Sequence, residues 1–318
     1  MMHPTAPSSR RIITRCIIQR FKSRTVNHRS GSTTTYYDSQ SGQHVAIHDE
    51  SKITAYLRTK AGAASSSFAA VLEAAKEMGV AGSIITLPPH HQDGGMAGII
   101  QSLGTNSSSS SSNNDIFLHM LSSQYNDLVA SKEKQQLCND TIIPPNINLC
   151  FEYSNNNGEY ISSNVQSAMT NFEGIQTSIG IFNPAHLLHD DPMLVAARVA
   201  SMIDTTSEFG GTISNILVAP IIDNDDAAVG NSSGTYDDEL VQLCEELTYL
   251  DVPGSTIKSR LVVSTLSGDQ LEECLQMGIT KYIIDASTDD GERVESRLDM
   301  LRDVVEENGK ELVLDVMR

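Results

Sequence analysis

Short apolar runs alternate with amphipathic stretches along most of the chain, and this alternation is the main structural signal in the sequence. Runs rich in β-branched and other apolar residues, bounded by polar or glycine-containing turns, predict strands. The clearest runs cover residues 80–87, 116–121, 147–153, 177–182, 213–222, 260–265, 281–285 and 311–316. An earlier strand is predicted at residues 44–47 from His-Val-Ala-Ile.

Stretches with apolar residues at helical spacing predict helices between these strands. One helix begins at Asp191-Pro192, where proline suits the first turn and the carboxylate lies near the positive end of the helix dipole. Two others end at Gly278 and Gly309, since glycine commonly terminates helices. The remaining predicted helices cover residues 68–78 and 236–250.

Strands that alternate with helices form parallel sheets whose faces the helices cover. The last three strand–helix units repeat every 25 to 30 residues or so, a common spacing in eight-stranded barrels. With the strand at residues 44–47 included, the chain carries eight or nine strands. We therefore predict an α/β fold, a TIM-type (β/α)8 barrel, in preference to an open doubly wound sheet.

Polar, low-complexity segments interrupt the pattern. Residues 105–114 consist of serine, asparagine and one threonine, which bury nothing and predict a disordered surface loop. Shorter polar loops are predicted at residues 154–158 and 223–235. Because strands and helices continue on both sides of each segment, we interpret them as insertions into a single barrel domain over residues 38–318.

The first 37 residues differ in composition from the rest of the chain. They contain seven Lys and Arg residues and no Asp or Glu, and they are rich in Ser and Thr. Apolar residues such as Ile13 and Ile17 recur so that one helix face is apolar and the other carries arginines. This pattern is typical of a mitochondrial transit peptide, and the alternative is a basic tail. We therefore expect residues 1–37 to be a transit segment and the protein to act in the mitochondrial matrix.

Charge and cysteine content narrow the classes of partner. The chain has 22 Lys and Arg against 40 Asp and Glu, a net charge of −18, which disfavours nucleic acid and anionic membranes as partners. No apolar run is long enough to span a membrane. The five cysteines form no CxxC pair, which argues against a zinc ribbon or a disulfide framework. A small-molecule substrate is the expected partner, with homo-oligomer formation left open.

Candidate chemistry lies where the strands end, because the working residues of such barrels lie at the carboxyl ends of the strands. The candidate catalytic residues are His48, Glu152 and Asp285, and the candidate metal ligands are Asp49, His90, His91 and His186. Imidazole and carboxylate groups together suit a divalent cation, Mg²⁺, Mn²⁺ or Zn²⁺. Asp49 is the first choice because it would follow the strand at residues 44–47. Its alternative role is to cap a helix that begins near Ser51.

Several familiar motifs are absent from the sequence. No predicted strand ends in lysine, which argues against a Schiff-base aldolase. The dinucleotide fingerprint GxGxxG does not follow the first strand, and GxxxxGK[ST], GxSxG and HExxH do not occur. These absences leave acid–base chemistry and metal-assisted chemistry as the main candidates.

Two stretches carry a resemblance to a known family. Asp191-Pro-Met-Leu-Val-Ala-Ala-Arg-Val-Ala200, and Leu275-Gln-Met-Gly-Ile279 followed by Ile284-Asp285-Ala286-Ser287, resemble hydroxymethylglutaryl-CoA lyase and related metal-dependent acyl-CoA lyase barrels. The resemblance covers residues 44–316 and implies a diverged mitochondrial carbon–carbon lyase that acts on an acyl-CoA or oxo-acid with a divalent cation.

The chain departs from that family's motifs in three places. The Arg-Asp-Gly motif would fall near His48-Asp49-Glu50, where only Asp49 matches. The His-x-His pair would fall at residues 264–266, which contain no histidine, and the stretch after Asp285 lacks the family's cysteine. Two alternatives therefore stay open. One is a non-catalytic barrel that serves as an assembly or interaction module. The other is an NADPH enzyme, since residues 271–285 are similar to units of aldo/keto reductases.

Overall fold

A computed structural model describes most of the chain. The described residues are 35–38, 43–46, 49–59, 75–86, 115–133, 147–154, 158–172, 175–220, 233–252, 255–264, 267–286 and 291–314. They fall into two compact units, residues 1–49 and residues 50–318. In the first unit, β1 (Thr35–Asp38) pairs antiparallel with β2 (Gln43–Ala46). The loop predicted at residues 105–114 and nearly all of the predicted transit segment lie outside the described residues.

The second unit is a closed barrel of eight parallel strands surrounded by helices, which confirms the predicted (β/α)8 TIM-type fold. The described part of this unit contains the eight strands of the ring and three short strands outside it. In chain order, the strands are β3 (Lys52–Thr59), β4 (Gly82–Thr86), β5 (Asp115–Met120), β6 (Ile147–Glu152), β7 (Gln176–Ile181), β8 (Ile213–Val218), β9 (Asp251–Val252), β10 (Ser255–Thr256), β11 (Leu261–Ser264), β12 (Lys281–Ala286) and β13 (Glu311–Val313). The ring runs β3-β4-β5-β6-β7-β8-β11-β12 and closes where β12 pairs with β3. Strands β9 and β10 form a separate antiparallel pair.

Helices follow most of the described strands, although the first three in the list below were not predicted individually and most of the helix predicted at residues 68–78 lies outside the described residues. The helices are α1 (Ser122–Glu133), α2 (Gly158–Asn171), α3 (Ala185–Leu188), α4 (Pro192–Glu208), α5 (Ser233–Tyr249), a 3-10 helix (Ile257–Arg260), α6 (Gly268–Gln276) and α7 (Gly291–Glu307). The Asp191 side chain accepts a hydrogen bond from the Met193 N–H at 3.0 Å, which confirms the predicted start of α4. Among the helices of the described residues, none combines the length and apolar character that a membrane span requires.

The first barrel strand is β3, and the prediction of that strand at residues 44–47 was wrong. Residues 43–46 pair with β1 instead. Along β3, the outward residues Ile53 and Leu57 alternate with inward residues, of which Thr54 and Arg58 are polar. Because the inward face is partly polar, β3 does not appear as an apolar run. The last predicted strand, β13, pairs with the start of β3 and lies outside the ring.

The buried core has two parts. The larger part fills the space between the strands and the helices, and the smaller part fills the inside of the barrel. The barrel interior contains Tyr56, Ile84, Phe117, Cys150, Phe182, Leu217, Ala219, Val262 and Ile283. Since alternate strand residues face the same side, residues two positions before or after these also face inward. Polar residues occupy most of these positions. We call the set at the carboxyl end of the strands the upper polar layer, and the set at the amino end the lower polar layer.

Candidate functional site

The upper polar layer lies at the end of the barrel where enzymes of this fold carry their catalytic groups. It consists of Arg58, Thr86, His119, Glu152, Ser264 and Asp285. Glu152 and Asp285 were predicted as catalytic residues from their positions at strand ends. The structure places both in this layer, where each carboxylate has a basic partner on a neighbouring strand.

Arg58 and Asp285 connect the first and last strands of the ring. The two residues are register partners in the β3–β12 pair, and the arginine bonds the carboxylate through Nε to Oδ1 and through Nη2 to Oδ2, the latter at 2.8 Å. The Ser264 hydroxyl also donates to Oδ2, at 2.7 Å. Both carboxylate oxygens therefore accept hydrogen bonds, and Asp285 is held rigidly.

The rest of the Arg58 guanidinium faces backbone oxygens beyond the end of β8. It donates to the carbonyl oxygens of Ala219 and Pro220, the latter at 3.1 Å. The Arg58 side chain is 8% exposed and that of Asp285 is 23% exposed. Arg58 thus holds β3, β8 and β12 together at the carboxyl end, and the pair has the contacts of a structural ion pair.

His119 lies between two neighbouring strands and contacts a polar group on each. Its Nδ1 atom is 3.3 Å from Thr86 Oγ1 on β4, and its Nε2 atom is 3.3 Å from Glu152 Oε2 on β6. The imidazole also packs against the Phe182 ring, with the ring centroids 4.1 Å apart. Whichever tautomer is present, one ring nitrogen faces a hydroxyl group and the other faces the carboxylate. The imidazole is therefore fixed in place.

Glycine at position 180 makes the packing of Phe182 against His119 possible. A Cβ atom at Gly180 would overlap the Phe182 ring. Gly180 faces the barrel interior on β7, so the absence of a side chain there leaves room for the phenyl ring of the residue two positions later. The local sequence Gly-Ile-Phe thus supports the orientation of the histidine on β5.

Glu152 is the more accessible member of the His119–Glu152 pair. Its side chain is 27% exposed, whereas the His119 side chain is 6% exposed. The carboxylate contacts the imidazole through Oε2, and its second oxygen, Oε1, has no hydrogen bond within the described residues. A group that a solvent-borne molecule can reach, and that a buried partner orients, meets the geometric requirement for a general acid or base.

His186, a predicted metal ligand, lies in α3 in a separate cluster. Its Nδ1 atom is 2.8 Å from Asp190 Oδ2, and its ring packs edge-on against Tyr153 with centroids 5.1 Å apart. Burial raises the pKa of the Tyr153 hydroxyl, against a hydrogen bond from Arg198 that lowers it. Tyr153 belongs to the core between strands and helices. His186 is therefore associated with the helical layer and not with the barrel interior.

Asp49 does not occupy the position expected for it. It precedes β3 by three residues, whereas the prediction required it to follow the first barrel strand. That expectation was wrong because the first strand begins at Lys52. His48, His90 and His91 lie outside the described residues. Within the described ranges, no three His, Cys, Asp or Glu residues come close enough together to hold a metal ion.

Arg58 and Ser264 were not predicted from the sequence, and His119 was predicted only as one of the strand-end histidines, without an assigned role. The alternating pattern of Lys52–Thr59 contains the signal for Arg58, because every second residue there faces inward and Arg58 is the last of that set. His119 carries a similar signal, since it lies two residues after the inward-facing Phe117. A polar residue at a strand end that also faces the barrel interior is thus a better candidate for the site than one chosen by polarity alone.

Comparisons with known proteins agree with the fold and extend no further. No family model and no curated protein sequence matches the chain. A phospho-2-dehydro-3-deoxyheptonate aldolase from Thermotoga maritima superposes with a TM-score of 0.50 at 8% identity, covering 88% of this chain and 75% of that one.

Two proteins from Pyrococcus furiosus superpose with lower scores. A variant tryptophan synthase α-subunit gives a TM-score of 0.48 at 11% identity, covering 81% of this chain and 99% of that one. Thiamine phosphate pyrophosphorylase gives 0.43 at 12% identity, covering 81% and 98%. The superposition on the aldolase, with a TM-score of 0.50, supports a TIM barrel, and no comparison shows a likeness to hydroxymethylglutaryl-CoA lyase.

Proposed function

We propose that this chain is a barrel enzyme that uses Glu152 as its acid–base group, oriented by His119, to cleave a carbon–carbon bond in a small oxo-acid or acyl-CoA substrate. The observation that supports this proposal is the contact between Glu152 Oε2 and His119 Nε2, 3.3 Å apart on adjacent strands at the carboxyl end. Glu152 is the accessible member of the pair, and His119 is the buried member that fixes it.

The chemistry requires one proton transfer in each direction. In cleavage beside a hydroxyl-bearing carbon, Glu152 takes the hydroxyl proton, and the oxygen forms a carbonyl as the carbon–carbon bond breaks. The electron pair of that bond remains on the departing fragment as an enolate, which then takes the proton back from Glu152. The contact with His119 keeps the carboxylate in one orientation for both transfers.

The lyase resemblance also implies a divalent cation. Within the described residues, the imidazole of His119 and the carboxylate of Glu152, whose Nε2 and Oε2 atoms are 3.3 Å apart, are the groups that would hold such an ion. A bound Mg²⁺, Mn²⁺ or Zn²⁺ would supply charge stabilisation for an enolate oxygen. The cation remains part of the proposal, and the other ligands first expected for it are Asp49, His90, His91 and His186.

The experiment that tests the proposal measures hydrogen exchange at carbon. The full chain is incubated in D₂O with a panel of 2-oxo acids and acyl-CoA thioesters, with and without Mg²⁺, Mn²⁺ or Zn²⁺, and loss of the proton signal beside the carbonyl is followed by NMR. We expect Glu152→Gln to lower the exchange rate by about 100-fold or more, the usual contribution of a positioned acid–base group.

The matched control is Asp190→Asn, which changes a carboxylate that also contacts a histidine but lies in the separate α3 cluster. We expect that variant to keep the parent's exchange rate. Exchange that survives in Glu152→Gln would remove this residue from the mechanism. A parent protein without exchange on any substrate would favour the non-catalytic alternative, in which the polar layer only stabilises the barrel.

The location in the mitochondrial matrix is a second part of the proposal, supported by the seven cations and absence of acids in residues 1–37. A fluorescent protein fused to residues 1–37 should accumulate in mitochondria. A fusion in which Arg10, Arg15 and Arg20 are changed to Glu should remain in the cytosol. A parent fusion that stays cytosolic would contradict the predicted transit segment.

A further inference from the structure

The lower polar layer lies inside the amino end of the barrel, on the other side of the apolar interior from Glu152. It contains Thr54, Asp115, Asn148, Asn215 and Lys281, each two residues before a residue of the interior cluster, together with Ser178 on β7. Strands β6 and β12 lie on opposite sides of the ring, so Asn148 and Lys281 face each other across the barrel. This layer has no role in the proposed lyase chemistry.

Three polar atoms of this layer are buried without a hydrogen bond. They are Oδ1 and Nδ2 of Asn148 and Oγ of Ser178, none of which has a partner within the described part of the chain. Asn148 is 2% exposed and Ser178 is fully buried. Proteins pair nearly all of their buried polar groups, with protein atoms, water or bound ions. The unpaired atoms of Asn148 and Ser178 therefore require a water molecule or a bound ion as a partner inside the barrel.

Lys281 makes this layer electropositive. Its Nζ atom donates to Asn215 Oδ1 at 2.9 Å, which leaves two of the three ammonium hydrogens for another acceptor. Arg260 lies close enough to repel this ammonium group, and Asp115 lies close enough to attract it. Two cations and one carboxylate leave a surplus positive charge at the amino end of the barrel.

The pKa shifts of Lys281 and Asp115, both partly buried, agree with this charge balance. Burial lowers the pKa of Lys281 and raises the pKa of Asp115. Both shifts mean that the surroundings solvate the two charges poorly. A negative ion beside Lys281 would add to the partial compensation of the ammonium charge that Asp115 supplies.

We propose that the lower polar layer binds a small inorganic monoanion of halide size. Its donors are the ammonium group of Lys281, the amide nitrogen of Asn148 and the hydroxyl group of Ser178. The remaining unpaired acceptor, Asn148 Oδ1, takes a hydrogen from a water molecule beside the ion. A cation is disfavoured by Lys281, and the apolar interior next to the layer, which includes Phe117, disfavours a larger oxyanion.

Crystals of the full chain soaked in sodium bromide test the site directly. We expect an anomalous difference peak within hydrogen-bonding distance of Lys281 Nζ and Asn148 Nδ2. Ordered water at that position, with no bromide signal, would overturn the proposal. This measurement is independent of the lyase assay, because the two sites lie at opposite ends of the barrel and the soak needs no substrate.

A solution experiment uses the midpoint temperature of unfolding at constant ionic strength, with bromide replacing gluconate. We expect the parent's midpoint to rise with bromide and then reach a plateau, because an ion that binds only the folded state stabilises it. The double variant Asn148→Leu, Ser178→Ala should lose this dependence. Thr177→Val is the matched control, since Thr177 faces away from the interior and its hydroxyl bonds the Thr212 carbonyl at 2.9 Å.

The bromide soak and the unfolding experiment each have an outcome that contradicts anion binding. If the double variant does not fold, the bromide peak in the parent crystal decides the question. A parent midpoint that is the same in bromide and gluconate would contradict binding. A Thr177→Val variant that loses the bromide dependence would also contradict it, because the effect would then not belong to the inward face of β7.

Discussion

Two carboxylates, Asp285 and Glu152, lie at the carboxyl end of the barrel, each beside a basic residue. They differ in how many of their oxygens accept hydrogen bonds. Asp285 accepts hydrogen bonds on both oxygens, from Arg58 and from Ser264. Within the described residues, Glu152 has a single, longer contact of 3.3 Å, with His119. The two carboxylates have similar exposure, 23% and 27%, so burial does not explain the difference.

The comparison separates a structural pair from a pair that can react. A carboxylate with both oxygens occupied has little capacity to take another proton or bind another group. A carboxylate with a free oxygen and a fixed neighbour keeps that capacity. The same end of the barrel can therefore carry its stabilising contacts on β3 and β12 and its proposed chemistry on β5 and β6.

The strongest test of this division is Arg58→Met, for which we expect the free energy of unfolding to fall by about 3 kcal/mol. Removing one partner of a buried ion pair leaves the other charge uncompensated, and the partial exposure of Asp285 keeps the loss at the lower end of the usual range. Urea unfolding of the full chain measures it. The double variant Arg58→Met, Asp285→Leu should recover part of the loss. A loss below about 1 kcal/mol in Arg58→Met would contradict the structural role.

Gly180→Ala should disturb the reactive pair while leaving the Arg58–Asp285 pair intact. Because the new methyl group would overlap Phe182, we expect a stability loss of about 2 kcal/mol from overpacking, together with slower proton exchange on substrate. Gly268→Ala is the control, since its Cβ would meet only Val304 at 3.9 Å. Equal effects of the two changes would show that Phe182 does not position His119.

Ser264→Ala should weaken the structural pair slightly. The variant loses one hydrogen bond to Asp285 and keeps the contacts with Arg58, so we expect a loss of about 1 kcal/mol in urea unfolding. A loss as large as that of Arg58→Met would mean that Ser264, and not Arg58, is the main support of Asp285.

Glu152→Gln should have the smallest effect on stability and the largest on the proposed reaction. The contact with His119 is partly exposed and long, so we expect the free energy of unfolding to change by less than about 0.5 kcal/mol. The same urea experiment measures it. A destabilisation comparable to that of Arg58→Met would place Glu152 with the structural groups and remove the distinction between the two pairs.

The fold could be predicted from the sequence because barrel strands are buried on both faces and appear as apolar runs. Strands β4 to β8, β11 and β12 lie within a few residues of their predicted positions, except that β8 ends at Val218, earlier than predicted. Strand β3 could not be found in this way because Arg58 and Thr54 interrupt its apolar pattern. The barrel strand that the apolar pattern failed to predict is thus the one that contributes Arg58 to the upper polar layer.

The site was harder to predict than the fold because successive side chains along a strand point to opposite faces of the sheet. A shift of one residue moves a side chain from the barrel interior to the helical layer. Glu152 and Asp285 were chosen as strand-end carboxylates and have inward parity, whereas His186 was chosen by the same rule and lies in α3. The pairing of Glu152 with His119 depends on the register of β5 and β6, which no local sequence pattern specifies.

The closure of the ring by β3 and β12 has a consequence for folding during synthesis. Arg58 and Asp285 are 227 residues apart in the chain, yet they are neighbours in the closed barrel. At the usual pace of translation, β3 is made on the order of tens of seconds before β12. During that interval, one edge of β3 has no pairing strand, and such unpaired edges associate readily with other chains. The nascent chain therefore exposes an edge prone to association until its last third has been made.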